Sequence, residues 1–212
     1  MSCAGSIQLC ALRICSLDGI GVPDPGADNL YVTNAAITLG VTAENTEGED
    51  FEQKNGCGEI GVTFKDRDRI KRLNLTLTLT IPDPEITEML VAGEVISSAG
   101  DVIGYAYPEI ENQPTHNGVG MEAWSKRIVS GALATDYPYW QWVFGKTTWA
   151  IGERSLGNEI MITNFTGFAE ENPNFFDGPT GDWPYTSDRV LQYAAVTAIP
   201  VTSCGTQELV AS

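Results

Sequence analysis

One histidine, twenty-eight carboxylates, five cysteines and five tryptophans are the side chains with which this chain could do chemistry. A serine triad needs an imidazole base, and His116 is the one available. It sits in "NQPTHNGVG", a run that reads as a turn, and no nucleophile elbow accompanies it. "NGCGEIG", residues 55–61, is glycine-rich but leads into a strand, whereas a phosphate loop or dinucleotide fingerprint opens a helix. Carboxylates recur as Glu170 with Glu171, Asp177 with Asp182, and Asp182 with Asp188. With Trp140, Trp142, Trp149 and Trp183 near them in sequence, they could serve a carbohydrate-binding or carbohydrate-hydrolysing site, where two carboxylates flank one bond. No loop has EF-hand spacing, and Cys3, Cys10, Cys15, Cys57 and Cys204 match no zinc pattern. Their odd number and wide scatter suit buried or incidental thiols better than a disulfide scaffold. The sequence therefore predicts no catalytic residue, no cofactor and no metal site.

The elements that must position these groups are mostly strands. In "RLNLTLTLTIPDPEITEMLVAG", residues 72–93, Leu73, Leu75, Leu77, Leu79 and Ile81 alternate with Asn74, Thr76, Thr78 and Thr80. Successive strand side chains point to opposite faces, so the aliphatic face packs on a core and the other is polar but uncharged. Pro82 stops the strand, because it cannot donate to a ladder. Asp83 can cap a helix with Pro84 at its first position and Glu85 and Glu88 near its positive end. Ile86, Met89 and Leu90 share one face, and Gly93 can end the element. This predicts a helix over roughly 84–91, the one helix expected. Period-two patterns predict strands near 7–14, 30–41, 59–64, 72–81, 118–130, 139–149, 158–169 and 189–200. In the 139–149 strand Trp140, Trp142 and Phe144 share one face, while Tyr139, Gln141 and Val143 share the other.

The fold class expected is mainly β, a sandwich or partly closed barrel with one short packed helix, built as one domain over 1–212. Two connections are long. Residues 42–58 are polar and acidic and are expected to form a loop or arm; residues 170–188 form an aromatic, Pro- and Gly-rich loop that carries Phe175, Phe176, Trp183 and Tyr185. So many large rings must pack, either on the chain's own barrel or on a neighbouring subunit. No apolar run reaches the ~20 residues of a membrane helix, and the start lacks a basic region and a clean apolar stretch, so neither membrane insertion nor export is expected. The net charge of −16 disfavours gripping nucleic acid, which needs cations to neutralise phosphates. Five of the twelve basic residues crowd together as Lys65, Arg67, Arg69, Lys71 and Arg72. An acidic counterpart lies nearby in Glu44, Glu47, Glu49, Asp50 and Glu52.

The second half, "GVGMEAWSKRIVSGA" followed by "YPYWQWVFGKTTWAIGERSLGNEIMITNFTGFAEENPNFFDGPTGDWP", resembles the major tail (tail tube) proteins of long-tailed phages, in particular those of actinobacteria. The likeness rests on the "WSK" and "YWQWVF" strands, the "FTGFAEENPNFFDGP" and "DWP" loop, and a single helix after an alternating strand, and it spans roughly residues 59–200. It implies a structural subunit without catalysis that is made in the host cytoplasm and assembles into the virion. It implies hexameric rings of identical subunits stacked into a tube with an acidic lumen that passes DNA without gripping it, and contacts with tape measure, terminator and distal tail proteins. Asn74, Thr76, Thr78 and Thr80 would then line the lumen. Lys65, Arg67, Arg69, Lys71 and Arg72 would face Glu47, Glu49, Asp50 and Glu52 of the next ring, and Phe175, Phe176 and Trp183 would meet a neighbouring subunit. The alternatives are another virion component, such as a head-decoration or tail-terminator protein, and the carbohydrate-active sandwich.

Overall fold

A computed structural model describes residues 4–111, 114–154, 162–175, 178–179, 189–199 and 204–209. In chain order the elements are β1 (Ala4–Ser16), β2 (Gly26–Thr33), β3 (Ala36–Thr46), β4 (Asp50–Lys54), β5 (Ile60–Lys65), β6 (Arg69–Leu79), α1 (Pro84–Val91), β7 (Glu94–Ser98), β8 (Asp101–Ala106), β9 (Val119–Val129), β10 (Ala132–Leu133), β11 (Tyr139–Ile151), β12 (Thr163–Glu170), β13 (Gln192–Val196) and β14 (Gly205–Leu209). The chain is mainly β. One antiparallel sheet runs β14-β2-β1-β9-β11-β12-β6-β3, with β10 beside β9 and β13 beside the first half of β11. It curls until β3 touches β1, yet no ladder joins those two strands, so the barrel stays open along that seam.

The alternation read in β6 places Leu73, Leu75, Leu77 and Leu79 in the core, while Asn74, Thr76 and Thr80 are exposed and Thr78 is half-buried. Each buried leucine contributes about 1.5–3 kcal/mol by the usual transfer scale. They cluster with Phe165 of the neighbouring β12 and with Leu12, Ile14, Met121 and Phe144. Ile81 departs from the expectation. The strand ends at Leu79, so Ile81 falls in the turn before the helix and is 53% exposed.

Helix α1 forms where its local signals lie. Asp83 Oδ1 accepts from the backbone N–H groups of Glu85 and Ile86 at 3.1 and 3.3 Å. Tyr31 on β2 donates its hydroxyl to the other oxygen of the same carboxylate, so the cap also ties the helix to the sheet. Burial and that bond push the Tyr31 hydroxyl well above its ordinary range. Ile86 and Leu90 are fully buried, and Met89 is half-buried beside them. The far end stops at Ala92 and Gly93, both at positive φ, and Tyr105 of β8 donates to the Ala92 carbonyl.

A second, smaller core lies on the other face of the sheet, formed by Cys15, Leu17, Leu30, Val143, Phe175 and Leu209. Phe175 therefore packs on its own chain. Gly120 makes this possible, since a Cβ there would stand 2.4 Å from the Phe175 ring. The same face buries Glu122, which pairs with Arg13 and accepts from Gln141 Nε2 at 2.8 Å. The Arg13 guanidinium also lies 5.3 Å from the centre of the Trp124 ring. A buried carboxylate needs this pairing to offset its lost hydration. Both faces of the aromatic strand are thus covered, with Phe144 in one core and Val143 in the other.

Several expectations are corrected. The strand read over 30–41 is two strands, broken where Thr33 Oγ1 accepts from the Ala35 N–H at 3.0 Å. The segment read over 42–58 as a loop or arm holds strands: β3 continues to Thr46, and β4 pairs with β5 as a hairpin. The hairpin of β7 with β8 and the strand β14 were not expected. The first part of the 158–169 strand lies outside the described residues, as do Phe176, Asp177, Asp182, Trp183, Tyr185 and Asp188.

Candidate interaction surfaces

His116 is committed to structure. Its Nδ1 accepts from the Gly118 N–H at 3.0 Å, and its Nε2 lies 2.8 Å from the Met89 carbonyl. A carbonyl only accepts, so the proton sits on Nε2. With both nitrogens engaged, the ring joins the end of α1 to the start of β9 and is not free to act as a base. Among the described residues no group of His, Cys, Asp and Glu side chains could hold a metal ion, and no helix is long and apolar enough to cross a membrane. Glu170 closes β12 opposite Lys146. Cys10, Cys15, Cys57 and Cys204 are free thiols, and burial pushes that of Cys15 far up.

The unusual features are surfaces. The first is the arm. Every residue from 49 to 71 is exposed. Its ladder sets Phe51 opposite Phe64 and Gln53 opposite Val62, which puts Phe51, Ile60, Val62 and Phe64 on one face. These four are 54, 55, 55 and 60% exposed. The reverse face carries Asp50, Glu52, Thr63 and Lys65. The arm is nevertheless well built. At its tip Asn55 Oδ1 accepts from the N–H groups of Cys57 and Glu59, both at 3.0 Å. At its base Asp68 accepts from the Gly48 N–H at 3.1 Å, and the Asp66 N–H donates to the Glu49 carbonyl at 2.8 Å.

The basic run leaves this arm in two groups. Lys71 and Arg72 reach Glu44 of the same chain at 3.0 and 2.7 Å, and they lower its carboxyl to about 2. Lys65, Arg67 and Arg69 form no ion pair among the described residues; nor do Glu47, Glu49 and Asp50, whereas Glu52 meets Lys54 at 3.4 Å.

The second surface is an uncharged wall. The register sets Thr42, Asn74, Phe168 and Thr148 in one row across β3, β6, β12 and β11; Gly40, Thr76, Thr166 and Ala150 form the next, and Thr38, Thr78 and Asn164 a third. Thr78 donates to Asn164 Oδ1 at 2.9 Å. The polar face read along one strand is therefore four strands wide. Thr80 lies beyond it, with its hydroxyl bonded to the Ala35 carbonyl at 3.1 Å. The alternation of "TLGVT", residues 38–42, was the signal for the extra column, visible only once β3 is known to pair with β6.

The third surface is the open seam. Among the described residues only Leu12 to Cys15 of β1 pair with β2, so the first half of β1 keeps one free edge toward β3, whose outer edge is also free among them. A cavity of about 510 Å³ lies between them. No protein-family model matches the chain, and no curated protein is significantly similar to it.

Proposed function

We propose that this chain is a self-assembling structural subunit, copies of which join into rings and stack as a tube of the phage tail type, with DNA passing through and no catalysis. The observation that carries the reading is the arm. A two-stranded hairpin is marginal in water on its own, and this one holds four large apolar side chains on an uncovered face. A second copy of the chain supplies the missing cover. Two further features support it. Free strand edges invite pairing with another chain, and ring closure removes them. A wall rich in hydroxyl and amide side chains on a chain of net charge −16 suits a DNA conduit, since the cation beside it, Arg72 over the Phe168 ring, is already paired with Glu44.

Negative-stain electron microscopy beside size-exclusion chromatography tests the reading. Rings or tubes with a central hole are expected at high concentration, and a chain that stays monomeric throughout overturns it. Charge reversal of Arg67 and Arg69 together is expected to weaken assembly most at low salt, where their attraction to acids of the next ring is least screened. Tubes of normal length and stability in that variant would reject the ring-to-ring role of these two residues. For the wall, Thr76→Cys in a background without the other accessible cysteines is expected to react in the tube with a small maleimide and not with a bulky one. Equal labelling by both would put the wall outside.

A further inference from the structure

Resting on that reading, we infer that the apolar face of the arm of one copy lies across the open seam of another, so that each copy offers one arm and one receptor. The seam is apolar where a receptor would need to be. Ile7, Ile37 and Val41 stand 49, 50 and 41% exposed along its walls, and Ala123, Trp142 and Phe144 line it more deeply. β1 is irregular here: Gln8 has φ of 55°, and the pairing with β9 shifts on either side of Leu9. Such a bulge re-aims side chains at an edge and interrupts further pairing.

Charge favours the same match. Gln8, which lines the seam, accepts from Lys126 Nζ at 2.7 Å. The next residue, Arg127, donates to the Tyr137 carbonyl at 3.3 Å. Among the described residues neither cation forms an ion pair. In a chain with 28 acids against 12 basic side chains, a cation held beside an apolar seam is notable. The arm carries Glu47 and Glu49, both exposed, at its base, while Asp50 and Glu52 lie on its reverse face. The arm's apolar face would meet the seam's apolar walls, with Glu47 and Glu49 at the arm's base opposite in charge to Lys126. In this structure every residue of the arm from 49 to 71 is exposed, so the arm does not fill its own seam, and the contact must join two copies. It is a head-to-tail contact that either propagates or closes as a ring.

That geometry makes a distinctive prediction. An arm variant, Phe51→Asp with Phe64→Asp, and a seam variant, Ile37→Asp with Val41→Asp, change only exposed side chains and should keep the wild-type circular dichroism. Each alone is expected to be monomeric. Mixed, they are expected to give a 1:1 heterodimer and nothing larger, because one intact arm meets one intact seam; light scattering after chromatography reads this directly. Assembly of the seam variant as wild type overturns the inference while leaving self-assembly intact. So does a mixture of two folded monomers that yields no heterodimer. A wild-type chain that never assembles instead overturns the functional reading beneath it. Lys126→Glu leaves the apolar walls untouched, and it is expected to raise the concentration needed for assembly by about tenfold through like-charge contact with the arm. Assembly at the wild-type concentration would count against the proposal.

Discussion

β5 and β6 are consecutive strands with the same pattern and opposite fates. In β5 Ile60, Val62 and Phe64 alternate with polar or small residues, and every side chain is exposed. In β6 Leu73, Leu75, Leu77 and Leu79 alternate with polar residues, and all four are 8% exposed or less. The difference lies in the neighbours. β6 pairs on both sides, with β3 and β12, and its aliphatic face looks into the core; β5 has only β4. Alternation therefore specifies which face of a strand needs cover, but leaves open whether the cover belongs to the same chain. That is the physical distinction between a core strand and a strand whose apolar face is left exposed.

The comparison breaks most sharply under truncation. Leu77→Ala is expected to cost about 2–5 kcal/mol of stability, since it leaves a cavity in a close-packed core. Phe64→Ala is expected to shift the stability of the isolated subunit by no more than about 0.5 kcal/mol, as exposed positions do. Chemical denaturation of the two variants checks this, and a large loss for Phe64→Ala would mean that the arm is covered within its own chain. In the proposed assembly the order should reverse, because there a second copy would cover Phe64.

A middle case is the helix cap. Asp83→Ala is expected to cost about 0.5–2 kcal/mol, the usual range for losing a capping side chain. It also leaves the Tyr31 hydroxyl without its acceptor, so the value should fall in the upper part of that range. Tyr31→Phe together with Asp83→Ala should then cost less than the sum of the two single changes. Strict additivity in a thermal or denaturant series would show that the tie between helix and sheet contributes nothing.

How much could be read beforehand follows the same line. The helix was legible because Asp83, Pro84, Ile86 and Leu90 signal locally, and its observed bounds fall where those residues put them. The hairpin of β7 and β8 was not legible. Its two-residue turn is Ala99–Gly100, both at positive φ, as a type I′ turn requires. An alanine at the first position hides a signal that asparagine would have announced. The turn at Ser130–Gly131 between β9 and β10 is built the same way. The wall was half legible: one column stands in "NLTLTLT", but Thr148, Asn164 and Thr166 join it only through pairings between residues far apart in sequence. The pairing of Arg13 with Glu122 was invisible for the same reason, since 109 positions separate them. The arm's acids and bases were visible as charge, but Glu44 proves to be the partner of Lys71 and Arg72 within its own chain.

That last pair gives the smallest effect and the finest test of where arm ends and barrel begins. The Glu44 carboxyl is lowered from 4.5 to about 2, first by its hydrogen bonds from Arg72 and Lys71. A carboxyl with a depressed folded value stabilises the fold above its unfolded value, and that contribution is lost as pH falls through the folded one. Any difference in melting temperature between wild type and Glu44→Gln should thus be constant above pH 5, shrink between about 4.5 and 2, and vanish below. The pair is partly exposed, so the difference should be small at every pH and smaller still in salt. A difference that persists unchanged as pH falls through 2 would show that Glu44 acts on the fold by something other than its bonds to Arg72 and Lys71.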